Sequence, residues 1–168
     1  MEIRLAVKED LNEIINIESI CFPEAEAAKE SDIRKRFDTF SENFVVAVDN
    51  GKVAGFINGC TTDSPELPDE LYHNVKLHNK NGAYQTVFGL DVLPEYRCNG
   101  VAAQLMNYFI KISKERGKKG MVLTCKNHLI HYYEKFGFKH QGVSSSEHGG
   151  AVWNDMVLIF CLSTLNLH

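Results

Sequence analysis

The stretch Leu90-Asp91-Val92-Leu93-Pro94-Glu95-Tyr96-Arg97-Cys98-Asn99-Gly100-Val101-Ala102 decides the fold. An apolar strand pattern stops at Pro94, and a turn of small and polar residues follows. A helical pattern then starts at once, with Val101, Ala102, Leu105, Met106, Phe109 and Ile112 inward and Gly117 as its stop. A strand that feeds a helix through so short a turn aims several backbone N–H groups, and the positive end of the helix, at one point. A pyrophosphate suits that point. Gly100 lets backbone approach closely, and Ala102 and Ala103 leave the first helical turn uncrowded. Neither Gly-x-Gly-x-x-Gly nor Gly-x-x-x-x-Gly-Lys-Ser/Thr is present, which sets aside the dinucleotide fingerprint and the P-loop.

Outward from this junction, residues 84–92 read as one strand, preceded by a long polar connection over 63–82. Upstream, 2–7 alternate as a strand, and Leu11, Ile14, Ile15, Ile17 and Glu18 follow a helical pattern that ends before Phe22-Pro23. Residues 26–40 predict a second helix, and 44–48 and 53–61 a hairpin around Asn50-Gly51. Downstream come a short strand at 121–125, a helix at 127–136, and strands at 138–143 and 151–160. The order strand, two helices, three strands, helix, strand, helix, two strands is neither alternating nor segregated. It predicts an α/β fold with a mixed sheet and helices on both faces.

The 168 residues suit a single domain over 1–168, with 44% apolar and 24% charged residues, a net charge of −4 and a pI near 6.0. Only Arg116-Gly117-Lys118-Lys119 clusters basic charge, so no nucleic acid is expected as a partner. No apolar run reaches bilayer length, and the N-terminus lacks a basic-then-apolar leader pattern, so no membrane partner is expected either. The five cysteines, Cys21, Cys60, Cys98, Cys125 and Cys161, are odd in number and scattered, as in a reduced cytoplasmic protein.

Arg97-x-x-Gly100-x-Ala102 after Val92-x-Pro94-x-Tyr96 resembles the CoA-pyrophosphate loop of the GNAT acetyltransferases, and Tyr132-Tyr133-Glu134-Lys135-Phe136-Gly137-Phe138 resembles their second signature. The element order is similar along nearly the whole chain. A narrower resemblance, to the arylalkylamine (serotonin) N-acetyltransferases, runs through Cys21-Phe22-Pro23-Glu24-Ala25-Glu26, Leu77-His78, Leu123-Thr124-Cys125 and His148-Gly149-Gly150-Ala151-x-Trp153-x-Asp155-Met156. The resemblance implies a GNAT fold with a mostly antiparallel central sheet, acetyl-CoA as co-substrate, and direct transfer to the primary amine of a small molecule. Leu90, Asp91, Val92, Arg97, Cys98, Asn99, Gly100, Val101, Ala102, Ala103 and Tyr133 are its expected cofactor contacts. A monomer or homodimer is expected, with no metal.

The resemblance further places Tyr133 as the acid that protonates the leaving CoA thiolate, a role that suits a phenol near the sulfur. Vertebrate arylalkylamine enzymes carry two histidines on the strand before the loop; Thr86 and Phe88 stand at the matching positions and cannot take a proton. Glu26 and then Asp91 are the candidate bases, given that partial burial raises a carboxylate's pKa. Cys125, His128 and His131 are spaced by three but lack a fourth ligand for zinc. His73, His78 and His148 are candidate substrate contacts, and Trp153 and Tyr84 read as strand and core residues, with lining of an aromatic acceptor pocket as the alternative. Glu24, Glu26, Asp63, Glu66, Asp69 and Glu70 would form an acidic cleft for a polyamine if they converge. Protein N-acetylation and non-catalytic acyl-CoA sensing are the alternatives.

Overall fold

The computed structural model describes residues 1–161, so the last seven residues of the expected 1–168 domain lie outside the described part. Strands β1 (Glu2–Leu5), β2 (Phe44–Asp49) and β3 (Lys52–Asn58) follow one another as antiparallel neighbours. The β2–β3 turn is the predicted one: Asn50 and Gly51 both take positive φ, 47° and 80°, which matches the twist of a tight hairpin. Helices α1 (Leu11–Cys21) and α2 (Glu30–Phe40) lie between β1 and β2 in the chain. They cover one sheet face, where Ile14, Ile17, Ile33 and Phe40 meet Phe44, Val46 and Phe56. The alternate residues Val45, Ala47 and Ile57 face the other way, onto α4 (Val101–Glu115) through Val101, Leu105, Met106 and Phe109. Burial on both faces explains why β2 is apolar at five consecutive positions instead of alternating.

The remaining strands are β4 (Thr61–Thr62), β5 (Tyr84–Val87), β6 (Gly89–Val92), β7 (Gly120–Cys125), β8 (Lys139–Val143) and β9 (Asn154–Ile159). Two ladders form, β1-β2-β3-β6 and β4-β5-β7-β9-β8, and every pairing is antiparallel except β5 with β7. This is the expected α/β architecture, with one departure of consequence. The single strand predicted over 84–92 is two strands that part at Phe88.

The reason is a change of partner. Val87 still pairs with Leu123 of β7, but the Phe88 N–H donates to the Asn58 carbonyl at 2.7 Å, and β6 continues along β3. Phe88 itself is held against Tyr72, 4.6 Å between ring centroids, and against Phe40 at 6.3 Å. Past this point β7 runs on with β9 while β6 leaves with β3, and a wedge opens between them. One edge of β6 pairs with β3; the other borders the wedge without a strand partner among the described residues.

Three smaller departures follow local packing. The second helix starts at Glu30, since 22–29 forms turns. The 63–82 connection contains a four-residue helix, α3 (Glu70–His73), pinned by the buried Leu67 and Leu71. A helix that short leaves no periodic signal in a polar segment. The predicted 127–136 helix shrinks to α5 (Ile130–Glu134), preceded by a 3₁₀ turn.

Candidate active site

The wedge opens into a cavity of about 1120 Å³. At one end lies the junction that the sequence singled out. Gly100 caps α4 in the left-handed region, φ 76°, with open space where a Cβ would stand, and Cys98 is also left-handed, φ 64°. The first intrahelical bond runs from the Gln104 N–H to the Gly100 carbonyl, so the N–H groups of Val101, Ala102 and Ala103 have no partner within the helix. Arg97 Nε donates to the Val92 carbonyl at 2.9 Å, and Asn99 Nδ2 to the Arg97 carbonyl at 3.2 Å, bracing the loop. Of the expected cofactor contacts, Leu90, Asp91, Val92, Arg97, Cys98, Gly100, Val101, Ala102, Ala103 and Tyr133 all border the cavity. Asn99 does not; its side chain is spent on the loop.

Tyr133 lies across the wedge on α5 and is 9% exposed. Burial pushes its phenol above the ordinary tyrosine range, so it keeps its proton at any working pH. Tyr72 is similar, pushed up to about 12 mainly by burial, with its hydroxyl 3.3 Å from Thr124 Oγ1.

The two carboxylates proposed as bases have different surroundings. Glu26 Oε1 pairs with Lys126 Nζ at 2.8 Å, so its charge is already matched. Asp91 is 1% exposed, and neither of its oxygens accepts a hydrogen bond from an N–H or from a hydroxyl among the described residues. Glu18 of α1 is its neighbour. A Cβ placed on Gly89 would stand 3.0 Å from Asp91 Oδ1 and 3.6 Å from Glu18 Oε2, so both carboxylates crowd one point at the wedge. Burial first, and then the charge of Glu18, hold the Asp91 carboxyl well above the usual carboxylate range. Glu18 Oε1 accepts the Ala28 N–H at 2.9 Å, which fixes its orientation.

Sequence reasoning missed Glu18. The available signal was a charged residue on the buried stripe of α1, where Ile14 and Leu11 occupy the same face one and two turns earlier.

Three segments roof the far end. Asp69 accepts from Ser146 Oγ at 2.5 Å and from the Glu147 N–H at 3.1 Å, His148 Nε2 donates to the Glu26 carbonyl at 2.7 Å, and Trp153 Nε1 donates to the His148 carbonyl at 2.8 Å. The carbonyl partner places the His148 proton on Nε2. Trp153, read from sequence as a strand residue, lies just before β9 and borders the cavity with Tyr72, Phe88 and His148. Tyr84, by contrast, does open β5.

His73 and His128 also border the cavity. His78 is turned away, with its ring beside the Thr61 N–H at 3.1 Å. His131 is in solvent against Glu134, so it does not converge with Cys125 and His128. Nor do the six acidic residues converge. Only Glu24 and Glu26 border the cavity, while Asp69 braces the roof and Asp63 accepts from Asn79 at 2.9 Å.

Comparison with known proteins places the fold. The profile of the acetyltransferase (GNAT) family matches residues 11–138. An uncharacterized N-acetyltransferase of Bacillus subtilis (strain 168), YkwB, is 24% identical over 127 residues, covering 69% of this chain and 56% of its own. Serotonin N-acetyltransferase of Mesocricetus auratus is 28% identical over 95 residues, covering 56% and 44%. The chain thus spans about half the length of the curated relatives it matches. Among solved structures, the GphF GNAT-like decarboxylase in complex with isobutyryl-CoA superposes with a TM-score of 0.82 at 16% identity, over 95% of this chain and 99% of its own. The ribosomal-protein-S18-alanine N-acetyltransferase from Escherichia coli does so at 0.70 and 19%, over 99% and 98%. At these identities the likeness is one of fold.

Proposed function

Because the chain belongs to the acetyltransferase (GNAT) family, we propose that it transfers the acetyl group of acetyl-CoA to the primary amine of a small molecule, with arylalkylamines as the acceptor class. The observation that carries this reading is the wedge. It is one cavity that joins the unpartnered N–H groups of α4 to a buried carboxyl pair and an aromatic chamber.

The parts divide the work as follows. The loop Arg97–Gly100 and the start of α4 offer donors and a positive helix end to the CoA pyrophosphate. The free edge of β6 at Leu90–Val92 offers backbone groups to the amide-bearing arm. The acceptor arrives as an ammonium, and the Glu18–Asp91 pair takes its proton. Burial and the neighbouring Glu18 carboxylate raise the pKa of Asp91, so that when ionised it is a stronger base than a free carboxylate. The amine nitrogen then attacks the thioester carbon. The C–N bond forms, the C–S bond breaks, Tyr133 gives its proton to the departing thiolate, and the second proton of the acylated nitrogen returns to the Tyr133 phenolate.

The acceptor class rests on the chamber. Its walls are Tyr72, Phe88, Trp153 and His148, with Tyr72 and His148 stacked at 5.8 Å and 7°. The hydrogen-bonded roof narrows the mouth, which favours a small acceptor over an extended chain. Of the six acidic residues singled out in the sequence only Glu24 and Glu26 border the cavity, and Glu26 is already paired with Lys126, which favours a single amine over a polyamine.

The test is release of CoA thiol from acetyl-CoA against tryptamine, phenethylamine, spermidine and a lysine peptide. Turnover of the aromatic amines ahead of the others is expected. Binding of acetyl-CoA with no turnover of any amine would instead support acyl-CoA sensing, and preference for the peptide would support protein acetylation.

A further inference from the structure

Arg36 has no part in the transfer just described, yet it is 5% exposed and borders the same cavity. Its guanidinium lies over the Phe88 ring, 4.7 Å from the centroid, and one nitrogen, Nη2, donates to the Tyr72 carbonyl at 2.8 Å. Nε is buried and has no acceptor among the described residues. Among the described residues no carboxylate comes within ion-pair distance of this group. An arginine keeps its charge in a protein, and a buried charge without a partner is costly. Stacking on Phe88 and one carbonyl bond orient the fork without neutralising it. Burial accordingly works against the charged form here, offset only in part by the more distant Glu18 and Asp32.

The position gives this vacancy of charge a use. Phe88, on which Arg36 stacks, immediately precedes Gly89, the point crowded by Asp91 and Glu18. A molecule whose amine approaches the carboxyl pair therefore passes beside a fixed, donor-rich cation. Planar guanidinium groups bind carboxylates through paired N–H donors. We propose that Arg36 anchors a carboxylate carried by a reactant, so that the acceptor is an aromatic amine that also bears a carboxylate, as in an aromatic amino acid. This rests on the transfer reading above for the acceptor; a carboxylate on the acyl group of the thioester is the other source of the same chemistry.

The experiment compares phenylalanine with phenethylamine, which share ring and amine and differ by the carboxylate. In the native chain kcat/KM with acetyl-CoA should favour phenylalanine by about 10- to 100-fold, as expected of a charged hydrogen-bonded contact. Arg36→Met should collapse that ratio towards one, and Arg36→Lys should keep part of it by restoring the charge without the fork. Circular dichroism establishes that each variant is folded, and the native ratio stands as evidence even if Arg36→Met is not.

A second arm titrates succinyl-CoA against acetyl-CoA on the native and Arg36→Lys chains. A preference for succinyl-CoA that Arg36→Lys weakens would support the anchor and assign the carboxylate to the acyl group. Turnover of phenethylamine ahead of phenylalanine, with no succinyl preference, would overturn the anchor and leave amine transfer standing. No turnover of either amine would remove the transfer reading, and the succinyl arm alone would then decide for or against the anchor.

Discussion

Asp91→Asn removes one carboxyl from the buried pair while keeping the size and shape of the side chain. Asp91 Oδ1 and Glu18 Oε2 stand 3.0 Å and 3.6 Å from one common point. They are therefore no farther apart than about 6.6 Å, where two like charges repel by about 2.5 kcal/mol at an effective dielectric of about 20. That is a factor of about 70 against placing both charges, before any cost of burial is added. Two consequences separate cleanly. The proton acceptor is weakened, so kcat/KM for the amine should fall by about 10²- to 10⁴-fold when Glu18→Gln is combined with it.

Stability should move the other way. The folded-state pKa of Asp91 is raised above its unfolded value, so its contribution is fully present below the unfolded carboxylate range, near about pH 3.9. It is lost as pH rises through the raised folded value. The native chain should therefore lose stability across that window, and Asp91→Asn should flatten the loss and unfold no earlier than the native chain at pH 8. Urea unfolding at a series of pH values measures this, beside thiol release with phenethylamine. If the double variant keeps more than about a tenth of the native rate, the pair is not the base. If Asp91→Asn is clearly less stable at pH 8, the account of a penalised buried carboxyl is wrong.

Tyr133→Phe, which removes one hydroxyl from a buried ring, should lower kcat by about 10²- to 10³-fold and leave the acetyl-CoA Kd within about threefold, as read by single-turnover kinetics and calorimetry. Gly100→Ala meets open space but must hold φ near 76°; it should cost about 1–2 kcal/mol in urea unfolding and raise the KM for acetyl-CoA. Lys126→Met strips the partner from Glu26, whose other oxygen is already buried without one. A loss of about 1–3 kcal/mol is expected, less than for a fully buried pair because Lys126 is itself partly exposed, and an unchanged urea midpoint would show that the Glu26 charge needs no partner.

The junction at residues 90–102 was legible because its signals are local. A proline that stops a strand, a glycine that tolerates positive φ and small residues in a first helical turn all act within a few positions of one another. The Asn50-Gly51 hairpin and the inward faces of α1, α2 and α4 were legible for the same reason, since period and turn chemistry are properties of short windows. The break at Phe88 was not. Residues 84–92 carry an unbroken strand pattern, and the break comes from a choice between two partners, β7 and β3, that lie elsewhere in the chain. For Trp153 the sequence leaves strand and pocket both open, because its bond to the His148 carbonyl depends on a turn that the sequence shows only as Ser and Gly.

By itself, the sequence determined most of the element types, the apolar faces and the loop that opens onto α4, because each of these is set by neighbours along the chain. Only the tertiary structure decided which charges count. Glu26, Asp91 and Glu18 are alike as residues, yet one is matched by Lys126 and the other two are pressed together beside Gly89. Arg36 reads as one more polar residue in a helix until burial removes its solvent and packing denies it a counter-ion. The energy of a charge depends on what surrounds it in space, and those surroundings come from segments that meet only when the chain is folded.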